Sequence, residues 1–222
     1  ARRQRQMCIR DSLKTAGLYM ARKPDRSDVR SVFAGQRPLA APKRAGQSTK
    51  EISRRHKIIV SENRLITVTG GKWTTYRRMA QDTVDRVIGL GLLPRRPCTT
   101  ASYHIHGYRP SPDPGNHLCI YGSDMPAVQE LMLSAPEMAV PLSPDYPYTA
   151  AEAVWAVRHE MARTVEDILA RRLRLLFLDA RAAVEAAPAV AHIVAGELGY
   201  GRQWEERQVK AFAGLASGYE LA

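Results

Sequence analysis

Apolar positions along this chain change their period several times, and each change predicts an element. Leu13 to Met20 has the spacing of a short helix. A turn at Lys23-Pro24-Asp25 follows, and then an apolar run, Val29 to Phe33, that reads as a strand. Residues 40–50 are rich in Ala, Lys, Gly and Ser and read as an exposed loop. His56 to Val60 and Leu65 to Thr69 read as two strands joined through Ser61-Glu62-Asn63-Arg64, a hairpin. The second strand runs directly into Gly70-Gly71, after which the period becomes helical. Tyr76, Ala80, Val84, Val87 and Ile88 then fall on one face that should meet a core, and Gly89 and Gly91 end the helix.

Prolines crowd residues 92–148, with a turn cluster at Ser111-Pro112-Asp113-Pro114-Gly115. Such a stretch is a natural domain junction. The last third reads as helical. Thr149-Ala150-Ala151-Glu152 has the capping-box spacing, in which hydroxyl and carboxylate satisfy each other's exposed amides. Val154, Val157, Met161, Val165 and Ile168 form an apolar stripe, and Asp167 and Arg171 a helical i, i+4 pair. Pro188 suits the first turn of a further helix and Gly199 its end. A last helix is predicted over about Gln203 to Leu215. The fold class is therefore α+β: strands, a Gly-Gly turn and a helix over 13–98, then an all-helical segment over 99–222.

Charge sharpens that division. Residues 13–98 carry nineteen Lys/Arg against six Asp/Glu, whereas residues 99–222 carry ten against fifteen. An anionic partner for the first segment follows, be it nucleic acid, a membrane surface, a phosphorylated substrate or an acidic domain. No run of apolar residues approaches the length of a membrane span. Cys8, Cys98 and Cys119 lack CxxC spacing, which speaks against a disulfide framework or a zinc site and for a reducing compartment. His104 and His106 alternate as on one face of a strand, but two ligands make no metal centre. Residues 1–12 stand apart: Arg5-Gln6-Met7-Cys8-Ile9-Arg10-Asp11-Ser12 resembles the translation of a transposon-end adapter used in DNA library preparation. On that reading the segment packs against nothing; a basic arm for nucleic acid is the alternative.

The main chemical signal is the strand–Gly-Gly–helix at 65–88. Glycines let backbone approach a ligand closely, and a helix start presents free amides and the positive end of its dipole. Lys72 adds a charge, and Thr74 and Thr75 add hydroxyls. The arrangement suits an anion or a developing negative charge, although a Gly-Gly turn before a helix is also a common plain connection. Neither a Walker sequence nor a GxGxxG fingerprint is present. Arg37, held out of the α region by Pro38, reads as a surface Arg or an anion ligand. Arg54-Arg55-His56-Lys57 reads equally as a basic surface run, and nothing local supplies a partner for His56. Trp73 and Tyr76 could stack on a ring or pack in a core. Arg171-Arg172-Leu173-Arg174 reads as a solvated helix face or a contact for anionic lipid.

Taken in order, Ala34-Gly35-Gln36-Arg37-Pro38-Leu39, Ile52-Ser53-Arg54 and Gly70-Gly71-Lys72-Trp73-Thr74-Thr75-Tyr76-Arg77 resemble the motifs of FAD-dependent glycerol-3-phosphate dehydrogenases. The likeness runs from about Leu13 into the C-terminal helices, including Tyr148 to Asp179. It implies that residues 13–98 end a flavoprotein FAD/substrate domain and that 99–222 form its helical C-terminal domain. It assigns Arg37, Arg54 and Lys72 to the substrate phosphate and polar groups, with Arg37 and Lys72 acting in catalysis. Gly70, Gly71, Lys72, Trp73 and Thr74 would approach the flavin ring. It further implies glycerol 3-phosphate as substrate, a quinone as electron acceptor, peripheral attachment to an anionic membrane surface, no nucleic acid, and compatibility with a homodimer. The place would be the cytoplasmic face of a bacterial inner membrane or its mitochondrial counterpart. A related oxidase uses oxygen instead. The family's N-terminal nucleotide-binding half is absent from this sequence, so the chain alone is expected to be inactive. A different reading makes 99–222 a non-catalytic helical interaction module and the basic segment a partner for anionic surfaces.

Overall fold

The computed structural model describes residues 2–35 and 55–221. Two compact units emerge: residues 35–106 form one, and residues 1–34 together with 107–222 form the other. The sequence division at 98/99 placed residues 13–34 with the basic segment; in the structure they cluster with the helical unit.

In the unit of residues 35–106, β1 (Lys57–Val60) and β2 (Ile66–Thr69) pair antiparallel, with Lys57 opposite Thr69 and Val60 opposite Ile66. The predicted Ser61–Arg64 connection is the hairpin turn. Ser61 N–H donates to Leu65 O at 3.0 Å, and Arg64 takes a positive φ of 63° to complete the reversal. A single 3-10 turn, Trp73–Thr75, then leads into α2 (Tyr76–Gly89). The face of α2 expected to meet a core does not do so within this chain. Tyr76, Ala80 and Val84 are exposed, Val87 and Ile88 only half-buried. Residues 93–105 border that face around an open apolar cavity of about 670 Å³, lined by Tyr76, Val84, Ile88, Leu93, Tyr103 and Ile105 among others. No described residue between 55 and 106 is buried.

The other unit holds the core. Its first helix, α1, spans Arg2–Ala16, so it runs through the adapter-like segment instead of starting at Leu13; Cys8 is exposed and Ile9 half-buried. Next come α3 (Met125–Ser134), a hairpin of β3 (Pro141–Ser143) and β4 (Tyr146–Thr149), α4 (Ala150–His159), α5 (Leu175–Leu178), α6 (Ala180–Leu198) and α7 (Arg202–Ala216). Ala180, Ala183, Ala187, Val190, Ala191 and Val194 are buried along α6 at helical spacing. Their small side chains let α6 lie close against its neighbours. Ile168, Leu169, Leu175, Leu176 and Phe212 fill the space around them. A smaller cluster joins Leu118, Tyr121, Val128 and Trp155.

Several expectations need correcting. The segment after the junction is not all helical, because β3–β4 intervenes; an antiparallel pair of three to four residues per strand carries little alternation to read. Val29 to Phe33 is not a strand. It makes single ties, Val32 N–H to Tyr219 O at 2.7 Å and Ala180 N–H to Arg30 O at 3.1 Å, with no ladder. The stripe from Val154 to Ile168 is not one helix: α4 ends at His159, and Met161 has a positive φ of 59° and is 78 % exposed. Helix resumes at Val165 after Thr164 and passes into a π-helical turn, Asp167–Arg172. The Asp167–Arg171 pair forms there at 2.9 Å. Pro188 lies inside α6, which starts eight positions earlier where the Asp179 carboxylate accepts from the N–H groups of Arg181 and Ala182. Pro188 itself is exposed, and its ring costs α6 the bond that an N–H there would have given the Val184 carbonyl. The Thr149–Glu152 capping box, the left-handed Gly199 end (φ 71°) and the last helix stand as read.

Candidate functional site

β2 delivers the chain to Gly70 and Gly71 with φ values of 75° and 81°, conformations in which a side chain would be strained. At Gly71 there is a second reason for glycine: an added Cβ would lie 2.5 Å from Met79 Sδ and 3.2 Å from His56 Cβ. The turn therefore rests on the start of β1 and on the first turn of α2. Thr75 closes it from the helix side. Its hydroxyl donates to Lys72 O at 2.9 Å and accepts from Lys72 N–H at 3.3 Å, while Thr75 N–H donates to Lys72 O at 3.0 Å.

This local order presents Lys72, Trp73 and Thr74 outward, all three exposed, with Trp73 at 87 % and stacked on Tyr76 at 5.7 Å. A helix start has amides without intrahelical partners and a positive dipole end. Two glycines, those amides and the Lys72 ammonium make a donor set suited to a negatively charged group. Arg37 and Arg54 lie outside the described residues, so of the three expected phosphate ligands Lys72 is the one whose position is seen.

Sequence reasoning missed Asp82. Its Oδ2 lies 3.0 Å from His56 Nε2 and its Oδ1 accepts from Arg78 Nε at 2.9 Å. The partner absent from the local sequence around His56 is thus 26 positions away on α2. No local spacing could have revealed it.

The helical unit has its own buried polar cluster. Glu152 is fully buried at 0 % exposure. It accepts from Thr149 N–H at 2.8 Å and the Tyr121 hydroxyl at 3.1 Å, and lies 3.2 Å from His117 Nε2. Burial, and then the nearby Glu152 charge, push the Tyr121 phenol far above its ordinary range. Tyr121 thus stays a donor at any ordinary pH. The cluster ties α4 to the 3-10 segment at 117–124, and is built as a structural cap. Among the described residues no group of three or more His, Cys, Asp or Glu is placed to hold a metal, and no helix is long and apolar enough to cross a membrane.

A strand hairpin leading through a basic glycine turn into a helix, with an alanine-rich helical unit alongside it in sequence, defines a mostly helical chain with a basic, glycine-rich helix start. Comparison with known proteins gives it a family. Residues 63–208 match the family described as the C-terminal domain of alpha-glycerophosphate oxidase, and the chain belongs to that family. It is 36 % identical over 206 residues to the probable mitochondrial glycerol-3-phosphate dehydrogenase of Caenorhabditis elegans, covering 83 % of this chain and 28 % of that protein. The mitochondrial glycerol-3-phosphate dehydrogenase of Saccharomyces cerevisiae is 32 % identical over 246 residues, with 89 % and 38 % covered. That of Mesocricetus auratus is 36 % identical over 207 residues, with 84 % and 28 % covered. The chain thus spans between a quarter and two-fifths of the length of these relatives.

Proposed function

We propose that this chain is the C-terminal part of an FAD-dependent glycerol-3-phosphate dehydrogenase. The intact protein oxidises sn-glycerol 3-phosphate to dihydroxyacetone phosphate and passes the electrons to a quinone. The observation that carries the reading is the Gly70-Gly71-Lys72 turn at the start of α2, open to solvent and rich in donors, in a chain similar to proteins named for that activity.

Bound FAD would supply the hydride acceptor. The residues of this chain orient and stabilise. Gly70 and Gly71 let the backbone come close to the ring. The amides at Trp73 and Thr74, with the Lys72 charge, favour the negative charge that builds on reduction. Arg37 and Arg54 grip the phosphate, a role for which the paired donors of a guanidinium are suited. On this reading the unit of residues 35–106 belongs to the FAD/substrate domain, and residues 107–222, with the earlier segment that clusters with them, form the mostly helical C-terminal domain. Attachment is peripheral, at an anionic membrane surface on the inner face of a bacterial inner membrane or on the mitochondrial inner membrane. A homodimer of the intact protein is compatible with all of this.

The unit of residues 35–106 supports incompleteness as well. It exposes much of the apolar face of α2, and none of its described residues is buried, so the described part offers no core of its own to hold a cofactor. The test is a dye-reduction assay with glycerol 3-phosphate. The chain by itself should show no flavin-dependent turnover, and the same chain joined to a dinucleotide-binding half should. In the joined protein Lys72→Ala or Arg37→Ala should cost about 2 kcal/mol of kcat/KM, roughly thirtyfold. Turnover by the isolated chain, or full activity in both variants, would overturn the reading.

A further inference from the structure

We propose that His56 and Asp82 are positioning residues: their side-chain contact clamps the start of β1 to α2 and so sets the Gly70-Gly71-Lys72 turn that rests on both. This deepens the reading of that turn as the flavin- and phosphate-facing site and depends on it.

The geometry is local and closed. His56 immediately precedes β1 and Asp82 lies in the second turn of α2. Their side chains meet at 3.0 Å and are 19 % and 27 % exposed, shielded enough for the contact to hold one geometry. Gly71 lies over this joint. A Cβ there would be 3.2 Å from His56 Cβ and 2.5 Å from the sulfur of Met79, one turn before Asp82 on the same helix. Moving His56 or α2 therefore moves the floor of the turn. Asp82 is itself oriented by Arg78 Nε on its second oxygen at 2.9 Å. That outer arm is 61 % exposed, so the inner contact carries the constraint.

Apolar packing gives little help here, since no described residue of 55–106 is buried. A directional bond between two shielded side chains fixes distance and rotation together, which loose apolar contacts do not. The backbone bonds of Thr75 hold Lys72 against the helix start, and the clamp holds the helix start against the sheet. Lys72 thus projects from a frame tied at both ends.

The experiment uses the full-length protein with FAD bound and compares Asp82→Ala, Asp82→Asn and Lys72→Ala. Two quantities are read: hydrogen–deuterium exchange of residues 70–75 and the midpoint potential of the flavin. Asp82→Ala should speed exchange in 70–75 about tenfold while leaving the helical unit unchanged, and should shift the potential in the same direction as Lys72→Ala, by less. Asp82→Asn keeps an acceptor for His56 and should restore both toward wild type. Unchanged exchange and potential in Asp82→Ala, alongside a shifted potential in Lys72→Ala, would overturn the clamp. If Lys72→Ala leaves the potential unchanged, it is the reading of the turn that fails, and the exchange arm alone decides the clamp. Should Asp82→Ala not accumulate, His56→Asn breaks the same contact from the other side and is read the same way.

Discussion

Replacing Glu152 by Ala should cost the helical unit more than any surface substitution. The carboxylate is fully buried, with Thr149 N–H at 2.8 Å, the Thr149 hydroxyl at 3.3 Å, the Tyr121 hydroxyl at 3.1 Å and His117 Nε2 at 3.2 Å around it. Alanine leaves those partners facing a void. Thr149 and Tyr121 are themselves buried and cannot turn to water. The lost cap is worth about 1 kcal/mol. Each buried group left without a partner adds roughly 1 kcal/mol or more. The sum is a loss of about 3–5 kcal/mol, a large fraction of the stability of an ordinary domain. Gln keeps one acceptor oxygen and the side-chain shape, and should lose only about 1–2 kcal/mol. Urea unfolding followed by circular dichroism measures the whole unit, and Trp155 fluorescence reports locally, since Trp155 packs in the same cluster as Tyr121. An Ala variant within about 1 kcal/mol of wild type would refute the reasoning, because it would mean that the cluster is solvated or readily rearranged.

Asp167 accepts from the N–H groups of Arg163 and Thr164, and Asp167 N–H donates back to the Thr164 hydroxyl, so Asp167→Asn should destabilise by about 1 kcal/mol. Burial alone would raise the Asp167 pKa, but the bonds from Arg163 and Thr164 and the charges of Arg171 and Arg172 outweigh it and hold it low. The unfolded chain therefore binds the proton first. This stability is complete above the ordinary carboxylate range and is lost as pH falls toward the folded value, so the gap to Asn should close on acid titration of the unfolding midpoint. Glu160 has the opposite sign: burial raises its pKa, with Asp124 adding to this and Arg172 opposing. Its charged form costs stability as pH rises past the ordinary glutamate value, so Glu160→Gln should raise the midpoint at pH 7 and give no advantage at pH 3. Gly71→Ala combines a φ of 81° with a Cβ pressed on Met79 and His56, and should cost about 1–3 kcal/mol, seen as faster amide exchange of residues 66–76.

Local signals carried much of this fold. The hairpin, the Gly-Gly turn, α2, the Thr149–Glu152 box and the Gly199 stop are each written within a few residues, and the structure places them as read. What escaped depends on distant partners. Val29 to Phe33 has the composition of a strand, but its bonds go singly to Ala180 and Tyr219, so no ladder forms. Met161 continues a helical stripe in sequence yet stands exposed at a positive φ, because α4 has already ended at His159. Pro188 looked like a helix start since the true cap, Asp179, lies eight positions before the expected one. At the site, Lys72 and its glycines were legible, whereas Asp82 became visible only once β1 and α2 were side by side. The expected convergence of Arg37 and Arg54 with Lys72 falls on residues outside those described.

The ties of residues 30–32 have a bearing on how the chain comes into being. Arg30 and Val32 bond to residues 180 and 219, and the Ser31 hydroxyl donates to Leu176 O at 2.7 Å across 145 positions. In sequence, residues 35–106 stand between the two pieces of the helical unit. During synthesis, then, the early piece leaves the ribosome long before its partners exist. It must wait, unpaired, while the whole intervening unit emerges. At a translation speed of about 5–20 residues per second that delay lasts on the order of ten seconds or more. The helical unit can therefore seal only after release of its last helix, and a chain that stalls late should display Val29 to Phe33 to chaperones and proteases.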